Sequence, residues 1–223
     1  MRWILAALVA HTAQAQQIGG YEYQALDTRE ATRAAMLDQI YPAALDWGEW
    51  HMLAPFPFAG HGNDFAVEHP PETELSRMTA NGPGPDLTRA WKDKDGLDAT
   101  WQPLGEITNR RVNLKVHDSQ ERNTQGNAYL HGTVTATEKT SVTLSMGSDD
   151  GMRLWLNGTL LVDHDVSRGL SPDAEKVRFD LEKGVNHVFV RVNQGAGGWE
   201  FQINGRPPID PLKIGRASCR ERV

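Results

Sequence analysis

The sequence predicts a mainly β protein: an antiparallel β-sandwich, jelly-roll-like, with a short N-terminal helix. Three observations carry this. From about residue 110 apolar residues recur with period two, the spacing of a half-buried strand. The alternating segments are short and are separated by Gly, Asn and Asp turns. Asn157-Gly158, between MRLWL and TLLV, is the strongest short hairpin signal, because both residues accept the positive φ of a type I′ turn.

Residues 1–15 read as a secretory signal peptide. Met1-Arg2 is basic, Trp3 to Ala10 is apolar but too short to span a bilayer, and Ala13 and Ala15 give the small-x-small cleavage pattern. The mature chain is expected to be secreted or periplasmic, with no membrane span. Residues 16–46 form an N-terminal helical segment. Asp27-Thr28-Arg29-Glu30 offers a capping box, and Ala34, Leu37, Tyr41 and Ala44 recur at helical spacing before and after the stop at Pro42.

Residues 47–212 form the sandwich module. Trp50 to Leu53 reads as a core strand that breaks at Pro55 and Pro57. Residues 59–100 are punctuated by Gly and Pro, and Trp91 and Trp101 are expected to anchor this excursion to the core. RVNLKV (111–116), YLHGTVTAT, SVTLSM, KVRFDL (176–181), NHVFVRV and GWEFQI (198–203) follow as strands. Val177, Phe179 and Leu181 share one face, and Val188, Val190 and Val192 point inward. Glu182-Lys183-Gly184 turns the chain between them.

Residues 213–223 stand apart. IGRASCRERV holds the chain's one Cys and three Arg, and it resembles a translated sequencing adapter, so the segment is set aside as not native. The rest of the chain then has no cysteine, which excludes a disulfide framework. Residues 214–223 carry a net +2 and Arg2 a further +1, so without them the formal charge of −6 becomes −9. An acidic surface argues against a nucleic-acid partner. The chain is expected to continue past Leu212, making a missing C-terminal domain its covalent partner.

Asp149-Asp150-Gly151 precedes the hairpin. Two readings stay open. Asp and Gly are turn residues whose side chains and backbone close tight bends. Two carboxylates on one loop also begin the six to eight oxygens that Ca²⁺ takes, and Asp163 or Asp165 of VDHD would add to them if they met. In NQGAGGWEF, Trp199 is either an exposed platform for a sugar face or a buried core residue. His61-Gly-Asn-Asp64 and Asp163-His164-Asp165 lack metal-ligand spacing. No nucleophile elbow, P-loop, dinucleotide fingerprint or haem motif appears, so no catalytic residue is assigned.

GSDDGMRLWLNGTLLVDHDVSRG followed by KVRFDLEKGVNHVFVRVNQGAGGWEF resembles the second half of the protective-antigen-type sugar-binding domain (the PA-fourteen domain). It resembles more closely a related β-sandwich module of large secreted bacterial multidomain proteins. WHMLAPFPF is similar to that module's opening strand, so the likeness covers roughly residues 47–204. The resemblance implies that Asp149 and Asp150 coordinate calcium, which in turn binds vicinal sugar hydroxyls. Trp199, with Asn193 and Arg168 from the same quoted stretches, are the candidate ligand-binding residues.

Three functions follow. The first is a non-catalytic carbohydrate-binding accessory module that holds a partner domain near a polymer. The second is a structural sandwich packed on a missing enzymatic or cytochrome domain. The third is a glycan hydrolase with an unrecognised site, for which adjacent Asp149 and Asp150 cannot straddle a glycosidic bond.

Overall fold

The structure of the protein is a computed structural model, and it describes residues 17–18, 21–22, 45–58, 60, 62, 65–117 and 125–205. The chain divides into two units, Met1–Ala43 with Ile209–Val223, and Ala44–Pro208. In the first, a short antiparallel pair is described, β1 (Gln17–Ile18) with β2 (Tyr21–Glu22). The capping box and the helix expected after it lie outside the described residues, as do the expected signal peptide and the adapter-like tail.

The second unit holds β3 (Asp46–Trp47), β4 (Trp50–Phe56), β5 (Trp91–Lys92), β6 (Asp98–Ala99), β7 (Gln102–Gly105), β8 (Val112–Asn113), β9 (Gly126–Ala136), β10 (Thr140–Asp149), β11 (Met152–Leu156), β12 (Thr159–His164), β13 (Glu175–Leu181), β14 (Gly184–Gln194) and β15 (Glu200–Ile203). Among the described residues, a seven-stranded sheet runs β12-β11-β14-β9-β4-β7, with β3 also paired to β9. A four-stranded sheet runs β13-β10-β15-β8, and every pairing is antiparallel. The two sheets form the expected sandwich. Val188, Val190 and Val192 of β14, Leu154 of β11 and Leu130 of β9 are buried against Leu144, Phe179 and Phe201 of the smaller sheet.

The larger sheet is covered on its other face as well. Phe189, Trp155 and Tyr129 alternate with the residues just named, and they pack against Met78, Trp91 and Trp101 of the long excursion. The two tryptophans are therefore anchors, as expected. A 3₁₀ helix (Pro70–Arg77) lies in this cover. Polar groups are buried with it. The Arg191 guanidinium donates to Glu72 Oε1 at 2.6 Å and to the Val67 carbonyl at 2.9 Å, and the Tyr129 hydroxyl reaches the same Glu72 oxygen at 2.7 Å. His131 Nε2 lies 3.1 Å from His187 Nδ1, and His187 Nε2 lies 3.0 Å from the Gly82 carbonyl. That carbonyl can only accept, so His187 carries its proton on Nε2 and His131 donates to Nδ1.

Two strand expectations are corrected. The first strand does not break at Pro55. It runs to Phe56, with a cis Ala54–Pro55 peptide and a register shift against β9. RVNLKV is not a strand throughout. β8 stops at Asn113, whose side-chain oxygen accepts the Lys115 N–H at 3.1 Å and turns Leu114–His117 into a 3₁₀ segment. The hairpin signal holds: Asn157 and Gly158 have φ of 50° and 78° and join β11 to β12.

Candidate functional site

Three connections cross between the sheets at one end of the sandwich. They are the turn from β10 to β11 at Asp149–Gly151, the loop from β12 to β13, and the loop from β14 to β15. Asp150 ties them together. Its Oδ1 accepts the Arg168 N–H at 2.9 Å and the Ser167 hydroxyl at 3.3 Å, and its Oδ2 accepts the Gly195 N–H at 2.8 Å. Its own N–H donates to the Asn193 carbonyl at 3.0 Å. Asp150 is 3% exposed, so these donors replace water around a buried carboxylate.

Arg168 fastens the same corner from its other end. Its side chain donates to the Ser148 carbonyl at 3.2 Å, to Ser148 Oγ at 3.0 Å and to Glu175 Oε1 at 2.8 Å. Ser148 Oγ in turn donates to the Asp150 carbonyl at 2.7 Å.

Asp149 differs from its neighbour, although an Asp149–Asp150 cis peptide joins them. It is 8% exposed, yet no hydrogen bond reaches its carboxylate among the described residues. Gly198 passes so close that a β-carbon there would collide with Asp149 Oδ2. Burial pushes the Asp149 carboxyl above the usual range. The charges of Asp150 and Glu200 add to this, and Arg111 and Lys115 oppose it.

Asp149, Asp150, Ser167, Arg168 and Gly198 line an open pocket of about 280 Å³. The structure thus brings Asp149, Asp150 and Arg168 together. Asn193 lies directly behind them. It is 0% exposed, its backbone bonds both Asp150 and Gly151, and neither atom of its side-chain amide has a partner. Trp199 is a correction to the platform reading. It is 1% exposed, its indole N–H donates to the Val192 carbonyl at 3.2 Å, and it offers no face to a sugar. Asp163 and Asp165 go elsewhere: Asp163 pairs with Arg153 at 2.7 Å, and Asp165 accepts the Gly62 N–H at 2.7 Å. His61 and Asp64 lie outside the described residues.

Glu175 was not singled out in the sequence. The signal was present, since stepping back by two from Leu181, Phe179 and Val177 places Glu175 on the buried face of β13. A carboxylate on a core face requires partners, and it has His164 and Arg168.

Residues 94–203 match the family model of the PA14 domain. The chain carries a PA14 domain. The three crossovers, the paired aspartates and the second half of the sandwich all lie within that segment. No curated protein matches the chain. Among solved structures, a β-glucosidase from Kluyveromyces marxianus is similar at 20% identity and a TM-score of 0.43, over 69% of this chain and 21% of that one. The chain therefore spans about a fifth of that enzyme's length. The PA14 domain of the MpAFP antifreeze protein is similar at 15% identity and a TM-score of 0.42, over 73% of this chain and 82% of that one.

The residues around the PA14 corner suit a hard, oxygen-seeking cation. The Asp149 carboxylate accepts no hydrogen bond among the described residues, Asp150 Oδ2 accepts the Gly195 N–H, and Asn193 Oδ1 is a buried acceptor without a donor. Among the described residues no three Asp, Glu, His or Cys side chains converge. Two carboxylates and an amide oxygen leave several of the six to eight calcium positions for backbone, water or ligand oxygens.

Proposed function

We propose that the PA14 domain is a secreted, non-catalytic carbohydrate-binding module that works with calcium and serves a larger protein. The observation that carries this is the Asp149 carboxylate, which accepts no hydrogen bond among the described residues and faces an open pocket built from three crossovers. A carboxylate partly withdrawn from water, with no protein donor and an open pocket before it, is available to ligate a cation. The PA14 match supports a carbohydrate-binding type of module. Asp149, Asp150 and Asn193 would hold the ion, which would supply a Lewis-acidic point for sugar hydroxyls. Asp150 positions the loops, and Arg168 fixes them in place. The domain's contribution would be effective concentration, keeping a tethered neighbour near its glycan.

The test is titration calorimetry of the full chain with monosaccharides, in calcium and in chelator. Sugar heats in calcium that vanish in chelator and in Asp149→Asn support the reading. Heats that are equal in chelator overturn the calcium role, and no heats with any sugar overturn the binding role.

A further inference from the structure

A second pocket adjoins the first across a single ion pair. It has a volume of about 400 Å³, and Leu161, Asp163, His164, Glu175, Lys176 and Arg178 are among its lining. It lies between β12 and β13, the edge strands of the two sheets, where the sandwich opens. Arg168, in the wall of the first pocket, donates to Glu175 Oε1 at 2.8 Å, and His164 Nδ1 meets that same oxygen at 2.8 Å.

Glu175 is thus locked from both sides through one oxygen. Its other oxygen, Oε2, receives no hydrogen bond among the described residues. The residue is only 8% exposed. Burial raises the carboxyl, and the bonds from His164 and Arg168 outweigh it and hold the group below its ordinary value. The result is an ionised acceptor, fixed in orientation, at the boundary of two cavities. Lys176 beside it makes no salt bridge among the described residues.

We propose that this second pocket is an adjoining sugar subsite, so that the domain recognises a neutral oligosaccharide of two or more units, with Glu175 Oε2 accepting hydroxyls of the second unit. This rests on the reading of the Asp149 pocket as a sugar site. Size is compatible with it: ligand pockets run from roughly 300 to 1,000 Å³, and the second pocket's volume of about 400 Å³ falls inside that range. Pre-organisation supports it too. A carboxylate already held by two donors loses little freedom when it accepts a hydroxyl. The charge pattern is compatible with that ligand class. In the second pocket Asp163 and Glu175 are matched by Lys176 and Arg178, so a uronate or sulfated unit gains no net attraction there and a neutral unit loses none. Neither lining contains Phe, Tyr or Trp, so hydroxyls rather than faces stacked on a large ring are read.

The experiment is calorimetric titration of the full chain in calcium with glucose, galactose and mannose. Each is compared with its 1,4-linked disaccharide and with the corresponding uronic acid. The expected result is a disaccharide that binds about tenfold more tightly than its monosaccharide, the gain of a tethered second contact, and no uronate preference. Glu175→Gln should reduce that ratio to about twofold or less. Because Glu175→Gln also loosens Arg168, His164→Ala and Lys176→Ala at exposed positions serve as the second test, each lowering the same ratio. A ratio near one in the wild-type chain overturns the subsite while leaving the Asp149 site standing. Ratios unchanged in all three variants, or tighter binding of the uronate, also overturn it. A chain that binds no sugar removes the Proposed function and the subsite together.

Discussion

The two adjacent aspartates should respond oppositely to the same substitution. Asp150→Asn replaces one carboxylate oxygen by an NH₂ group in a setting built from donors: the Gly195 N–H at 2.8 Å, the Arg168 N–H at 2.9 Å and the Ser167 hydroxyl. One orientation of the amide faces the Gly195 N–H with a donor, and the other faces Arg168 and Ser167. Hydrogen bonds to a charged group contribute about 1.5–3 kcal/mol each, so the loss is about 2–4 kcal/mol. For a chain of this size that corresponds to a fall in Tm of about 5–15 °C. Asp149→Asn removes no hydrogen bond and relieves repulsion from Asp150 and Glu200. Its Tm in chelator should stay within about 2 °C of wild type or rise slightly. Differential scanning calorimetry in chelator and in calcium reads both effects. In calcium the wild type should gain stability that Asp149→Asn does not. Equal losses in the two variants, or a larger loss at Asp149, would refute the division of labour between them.

Three further outcomes are expected. Asn193→Leu replaces a buried amide that has no partner, so it should raise stability in chelator by about 1–3 kcal/mol and abolish any calcium-dependent rise, read by thermal melts in both conditions. His131 is held down to about 3 by burial, then by His187 and His51. The unfolded chain therefore binds more protons below its ordinary value near 6.5, and stability is complete above that value and lost as pH falls toward 3. The loss should reach about 2 kcal/mol by about pH 5 in urea unfolding, and His131→Leu should flatten this slope. Glu72→Gln leaves Arg191 buried without its counter-charge. It should cost about 3–5 kcal/mol, with limited proteolysis cutting first in residues 57–101.

The strand positions were legible because period-two alternation and Asn157-Gly158 are local signals. The corrected elements depend on contacts that sequence does not display. Pro55 read as a break, since a proline removes a donor, but β4 has β9 and β7 on its two sides and continues past it. Leu114 fits a strand pattern, yet the Asn113 side chain diverts the backbone. Asp149 and Asp150 were visible as a pair, but their different roles come from loops some 18 and 45 residues away in sequence. Trp199 was ambiguous because an aromatic beside glycines suits both a platform and a core, and its indole bond to Val192 decides the matter.

β4 also sets the order in which the chain can fold. It lies inside the seven-stranded sheet, and its extended partner β9 begins some 70 residues later. As the chain emerges from its N-terminus, Trp50–Phe56 is made well before β9 exists, and it presents Trp50, Met52, Leu53 and Phe56 with little to pair with. A partly delivered chain is therefore sticky until β15 (Glu200–Ile203) has appeared and Phe201 can cover Trp50, and premature termination before that point should yield aggregates rather than a smaller folded protein.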